Sequence, residues 1–295
     1  MSQDRENQVM VVTGANSGLG LATTIALART GATVIMLCRD EKRGRRALRK
    51  VKESVKDNHV YLMLADLADL DSVASFSDRF HDRFDRLDVL INNAGVILPN
   101  RRETKQGMEM QFGVNHIGHF LLTLLLSDLL SATDAARVVI VTSGAHKAGK
   151  IHFDDLQLEK HYHVMKGYAQ SKLANLLFAR KLAEWLQDTD TSVNCCHPGA
   201  VATNMGINRV TGFGKTITGL LKPFFQSAEK GAETQVALAL TDLGAKNEAA
   251  YYHKMKKAST SKRANSQDAA DKLWRISIDL TKAYLPDTLL SRLSE

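Results

Sequence analysis

The chain of 295 residues has few cysteines, few prolines and no long apolar run. Each shortage excludes something. The three cysteines, Cys38, Cys195 and Cys196, are odd in number and two are adjacent. They make no disulfide framework, so reduced thiols in a reducing compartment are expected. Four prolines against 19 glycines suit many short turns between regular elements. The densest apolar stretch, residues 120–126, is far too short to span a bilayer. The first eight residues are polar, with Asp4, Arg5 and Glu6, unlike a signal peptide. A soluble, cytoplasmic chain is expected, with peripheral membrane contact left open. Charge of one sign is also scarce: 39 basic against 32 acidic side chains leave a formal +7. Basic residues cluster only at 42–49, an exposed helix face near a candidate phosphate site, and at 254–262, a solvated loop. Neither is a nucleic-acid module. An anionic cofactor or a membrane surface fits this charge better than DNA. His116/His119 and His161/His163 lack Cys or carboxylate partners at metal spacing, so no metal site is expected and these histidines read as structural or surface residues.

What is present is an ordinary globular balance, 44% hydrophobic and 24% charged, with no internal repeat or low-complexity tract. Short β-branched runs at 9–12, 33–37, 60–64, 89–91, 138–141 and 192–195 alternate with helix-like stretches at 19–29, 41–55, 70–84, 105–130 and 168–186. The runs are apolar almost throughout, as strands are when helices cover both faces of a parallel sheet. The alternation predicts right-handed βαβ units in one doubly wound, Rossmann-type α/β domain over 1–295. Residues 205–225, rich in Gly, Thr and apolar side chains, are read as a substrate-capping segment, with a packed helix pair as the alternative. Residues 266–285 are read as one C-terminal amphipathic helix ending before Pro286.

The first strand runs straight into Thr13-Gly14-Ala15-Asn16-Ser17-Gly18-Leu19-Gly20 and then a helix. That context leaves free backbone N–H groups pointing at one place, where a pyrophosphate can sit. After the second strand come Cys38, Arg39 and Asp40. Arg39 can pair with the 2′-phosphate of NADP, whereas Asp40 serves the NAD ribose if the register shifts by two. Arg39 is nearer the strand end, so NADP is favoured over NAD, and Asp40 begins the next helix. Asp66 and Leu67 follow the third strand; Asp66 either meets the adenine amino group or caps a helix. Asn92, Asn93, Ala94 and Gly95 follow the fourth, where small residues admit close backbone approach and an Asx turn is the plainer reading.

Tyr168 and Lys172 stand at i and i+4 and so share one helix face. A nearby ammonium favours phenolate and is expected to lower the Tyr168 pKa, making it a useful acid/base. Ser143 follows the fifth strand, where its hydroxyl can polarise a carbonyl oxygen. Asn115 lies beside Gly118 in a helix-like stretch; both residues are poor helix formers, which predicts a local break with a functional amide. His197, Pro198 and Gly199 follow the sixth strand and close the nicotinamide side.

With these residues assembled in this order, the chain resembles the short-chain dehydrogenase/reductase family from about residue 8 to 203. Within it, the chain resembles the retinol dehydrogenase-like branch. The carriers are Cys38-Arg39-Asp40, the 118–123 run, Ser143-Gly144-Ala145-His146, the 168–175 run and the long gap from Ser143 to Tyr168. The resemblance implies that Tyr168 exchanges the proton, Ser143 holds the carbonyl oxygen, Lys172 lowers the Tyr168 pKa and bonds the nicotinamide ribose, and Asn115 supports a water relay. It implies cofactor contacts at Gly14, Asn16, Ser17, Gly18, Leu19, Gly20, Arg39, Asp66, Leu67, Asn93, Ala94, Gly95, Pro198, Gly199, Val201 and Thr203, besides Tyr168 and Lys172. It also implies homo-oligomers, although no interface is readable. Two features depart from the pattern: no N-terminal membrane anchor is apparent, and Ala249-Ala250-Tyr251-Tyr252 lacks the Gly often found before its aromatic pair. The expected function is NADP(H)-dependent interconversion of an aldehyde or ketone and an alcohol on an apolar, retinoid-like substrate. Two alternatives stand beside it. One is a catalytically silent nucleotide sensor or scaffold; the other is a C=C reductase resembling protochlorophyllide reductase.

Overall fold

The structure, a computed structural model, describes residues 5–55, 59–199 and 226–294. The expected capping segment 205–225, Val201 and Thr203 lie outside the described residues. The sheet contains β1 (Val9–Thr13), β2 (Thr33–Cys38), β3 (Val60–Leu64), β4 (Val89–Asn92), β5 (Arg137–Val141), β6 (Ser192–His197), β7 (Tyr251–His253) and β8 (Lys256–Lys257). Its order is β3-β2-β1-β4-β5-β6-β7-β8. Every neighbouring pair is parallel except β7 and β8, which form an antiparallel edge. The expected doubly wound sheet is therefore present. Strand order reverses between β1 and β4, and the crevice beyond the strand ends at such a switch point is where ligands bind.

Helices α1 (Gly18–Ala28) and α2 (Glu41–Val55), with the helix Ala228–Leu240, cover one face. Helices α3 (Leu70–His81), α4 (Met110–Phe112), α5 (Gly118–Leu125), α6 (Ser127–Ala132) and α7 (Val164–Trp185), with the helix Gln267–Thr281, cover the other. The residues of β1, β2 and β4 are buried almost throughout, which explains why they are apolar except at the strand ends. On the second face the rings of Phe120, Phe178 and Trp274 meet, with centroids 5.2 Å apart for Phe120 with each of the others. Burying a ring of this size stabilises by roughly 1.5–3 kcal/mol, so this contact fixes α5, α7 and the C-terminal helix together.

Several boundaries differ from expectation, and α3 ends at His81 rather than at residue 84. Residues 105–109 are not helical: Gly107 takes φ +77, Glu103 bridges Glu109, and the Glu109 carboxylate accepts from the N–H groups of Gln111 and Phe112, capping α4. The α7 helix starts one turn before Tyr168, with the His163 ring as its cap. The C-terminal helix ends at Thr281, and one 3₁₀ turn, Lys282–Tyr284, completes the expected 266–285 segment. The three cysteines are buried free thiols. No helix among the described residues is long and apolar enough to cross a membrane.

Candidate active site

A cleft of about 290 Å³ opens at the carboxyl ends of the strands. Its first wall is the turn between β1 and α1. Gly14 and Gly18 take φ +66 and +52, a region that costs other residues roughly 1–2 kcal/mol. A Cβ on Gly20 would stand 2.4 Å from the Gly14 carbonyl oxygen and 2.7 Å from Asn93 Nδ2, so only glycine lets the helix approach this closely. The α1 N-terminus has no side-chain cap at Ser17 and no acidic residue in its first turn. Its free N–H groups and dipole leave an anion site beside the cleft. The backbone of this turn thus fits the pyrophosphate of a dinucleotide.

At one end of the cleft, beyond the second and third strands, lie Arg39, Asp40, Arg43, Asp66 and Leu67. Asp40 Oδ1 accepts from the Arg43 N–H at 2.7 Å and so begins α2, as expected. Asp66 Oδ1 accepts from the Ala68 N–H at 3.0 Å, an Asx turn, while Asp69 is the cap of α3. Arg39 Nε stands 3.9 Å from Asp66 Oδ2, and its side chain is 63% exposed. A pair this open holds little energy and leaves the guanidinium available.

Across the cleft, Asn93, Ala94, Gly95 and Val96 follow β4, while Val141, Thr142 and Ser143 follow β5. Tyr168 and Lys172 enter from α7, and His197, Pro198 and Gly199 close the β6 side. Lys172 Nζ donates to the Val141 carbonyl at 3.0 Å and lies 5.8 Å from the centre of the Tyr168 ring. Thr142 Oγ1 donates to the Lys172 carbonyl at 2.8 Å, tying the strand end to the helix. Ser143 Oγ accepts from the Ala145 N–H at 3.2 Å, and its hydroxyl stands beside the Tyr168 phenol.

The electrostatics correct one expectation. Burial pushes the Tyr168 phenol above its ordinary value, and the neighbouring Ser143 hydroxyl only partly opposes this. Burial also pushes the Lys172 ammonium down to about 8, against weaker pull from Cys196 and Cys195. The Lys172 ammonium is not among the groups that move the phenol. In this state Tyr168 holds its proton, as a donor to a carbonyl must. The His197 ring is held down to about 4, by burial first and then by His253 and His146.

Of the residues expected at the site, Asn115 and Gly18 do not line the cleft. Asn115 is fully buried behind its wall, in the predicted break. The break is a π-turn, Gly113–Ile117, in which the Gly118 N–H donates to the Gly113 carbonyl. Its amide accepts from the Val96 N–H at 2.7 Å and donates to the Val96 carbonyl at 3.1 Å and to Ser171 Oγ at 3.0 Å. Lining residues that sequence reasoning passed over include Arg43, Val96, Val114, Val141 and Thr142. Arg43 had a signal: it stands four residues after Arg39 in a helix that was read as basic.

Fold and cleft together define a Rossmann-type oxidoreductase. The family model described as short chain dehydrogenase matches residues 8–212. The chain belongs to the short-chain dehydrogenase/reductase family, whose members use a nicotinamide cofactor. Its curated relatives place it on the retinol dehydrogenase-like branch. Retinol dehydrogenase 12 of Mus musculus is 41% identical over 273 residues, covering 92% of this chain and 86% of that protein. Retinol dehydrogenase 14 of Homo sapiens is 41% identical over 285 residues, covering 92% and 85%. Among solved structures, an uncharacterised protein from Mycobacterium paratuberculosis superposes with a TM-score of 0.76 at 35% identity, covering 93% of each chain.

Proposed function

We propose that this oxidoreductase interconverts an aldehyde or ketone and an alcohol on an apolar, retinoid-like substrate, with NADP(H) as cofactor and Tyr168 as acid/base. One observation carries the reading: the Tyr168 phenol, the Ser143 hydroxyl and Lys172 Nζ face one cleft whose other end holds an uncapped helix N-terminus and two arginines. When bound, the cofactor supplies or accepts the hydride. The residues of the 13–20 turn hold its pyrophosphate, and residues 93–95, Pro198 and Gly199 hold the nicotinamide half. Lys172 reaches the adjoining ribose. Ser143 orients the substrate oxygen, and Tyr168 gives it a proton in reduction or removes one in oxidation. Asn115 acts through Val96 and Ser171 as a positioning residue, and any water relay runs behind the cleft wall.

Three observations support the finer points. Arg39 and Arg43 flank the adenosine end while the Asp40 carboxylate is used as a helix cap, an arrangement suited to a 2′-phosphate. Ile97, Val164 and Tyr168 form a separate buried apolar cluster with Ala145 against it, which gives the phenol an apolar flank for substrate. The curated relatives are named for retinol. The test compares NADPH with NADH on a panel of apolar aldehydes and ketones, using wild type and Arg39→Ala/Arg43→Ala. NADPH-dependent turnover that the double variant weakens at least tenfold more than NADH-dependent turnover supports the reading. Equal losses remove the argument for NADP, and absence of turnover with the whole panel removes the substrate class.

A further inference from the structure

We infer that His119 is a positioning residue that ties residues 93 and 94 of the cofactor-facing loop to the Tyr168 helix. The sequence marked it only as a structural or surface histidine. Its ring is buried between the end of β1 and the π-turn. Nε2 lies 2.8 Å from Thr13 Oγ1, and Nδ1 lies 3.1 Å from the Asn115 carbonyl oxygen.

The geometry assigns the ring proton. Thr13 Oγ1 also accepts from the backbone N–H groups of Asn93 and Ala94, both at 2.8 Å. A hydroxyl has two acceptor sites and one proton. The two amides fill the acceptor sites, so the proton goes to the nearer acceptor, His119 Nε2; the Ile91 carbonyl is farther, at 3.3 Å. His119 is then the neutral tautomer with Nδ1–H donating to Asn115. The other tautomer places three donors on Thr13 Oγ1 and two lone pairs face to face at Asn115. Burial keeps the ring neutral, far below its ordinary range, at about 3.

The bonds run on from each end. Toward the cleft, the Thr13 hydroxyl fixes Asn93 and Ala94. Toward α7, the Asn115 amide holds Val96 and Ser171, and Ser171 Oγ donates to the Tyr168 carbonyl at 2.9 Å. His119 links the two halves through a ring that reaches neither substrate nor cofactor. The inference rests on the proposed function only in taking residues 93 and 94 as part of the cofactor wall and Tyr168 as the acid/base.

Two variants separate the ends. His119→Asn keeps a donor at the δ position for Asn115 and loses the acceptor for Thr13. His119→Gln keeps an acceptor at the ε position and loses the donor to Asn115. Losing one such buried bond corresponds to roughly a tenfold effect. His119→Asn is expected to raise the NADPH Kd about tenfold with kcat within about twofold. His119→Gln is expected to lower kcat about tenfold with the Kd within about twofold. Equal losses of Kd and kcat in both variants, or no loss in either, overturn the inference. A long-range 1H–15N spectrum of wild-type protein reads the tautomer without any variant or turnover. Nδ1–H is expected, and Nε2–H overturns the inference even if a variant fails to fold. If no carbonyl substrate is turned over, the tautomer and the nucleotide Kd still decide it.

Discussion

Replacing Lys172 with methionine exposes what its burial costs. The ammonium is enclosed, and burial lowers its pKa to about 8 from the ordinary 10.5. Between those two pH values the unfolded chain carries a proton that the folded chain lacks. Stability therefore rises with pH across that window, and below about pH 8 the penalty is fully present. At ~1.4 kcal/mol per pH unit the whole penalty is roughly 3 kcal/mol. Lys172→Met removes it but leaves the Val141 carbonyl without the bond that Nζ donates at 3.0 Å, a loss of about 1–3 kcal/mol. Near pH 7 the two effects offset, so the variant is expected to be about as stable as wild type, although inactive. By about pH 9.5 wild type has regained roughly 2 kcal/mol and the variant has gained nothing from this source. The assay is urea unfolding of both proteins, without added nucleotide, at the two pH values. Other groups titrating in the window cancel in the difference between the proteins. A difference that stays constant within about 0.5 kcal/mol refutes the account of a desolvated ammonium.

Ala249, in the pair that precedes Tyr251-Tyr252 where the family often carries a glycine, takes a left-handed backbone, φ +47. Ala249→Gly relieves roughly 1–2 kcal/mol of strain against about 0.5–1 kcal/mol of added chain entropy, so a gain of about 0.5 kcal/mol is expected in a urea or thermal melt. A loss of stability contradicts it. Asp40→Ala removes the α2 cap and is expected to cost about 1 kcal/mol. The same variant is expected to leave the NADPH-to-NADH preference within about twofold, because the carboxylate serves the helix; selective loss of NADH binding in a titration assigns Asp40 to the ribose instead.

Local chemistry made much of this legible in advance. The strands were readable because burial leaves their centres almost wholly apolar, and β1, β2 and β3 fall within a residue of expectation. Asn115 with Gly118 marked the break because both disfavour a regular helix, and the break is a π-turn. The start of α7 was hidden because its cap is a histidine ring, an unusual acceptor for that place. Residues 105–109 looked helical because the carboxylate of Glu109, which ends the loop by capping α4, also suits a helix interior. The electrostatics of Tyr168 and Lys172 were misjudged for a different reason. The i, i+4 spacing gives proximity, but the depth of burial, which decides the sign, comes from packing: Ile97, Val164 and Ala145 around Tyr168, and β5 and β6 beside Lys172. The His119 link was invisible for the same cause: Thr13 and Asn115 are 102 residues apart in sequence and meet only through the fold.

The central claim is that Tyr168 transfers the proton, and Tyr168→Phe tests it most directly. NADPH-dependent reduction of an apolar aldehyde is expected to fall roughly 10²–10⁴-fold, the usual share of a positioned acid, while the NADPH Kd stays within about twofold. Turnover within tenfold of wild type, with the nucleotide still bound, contradicts the account.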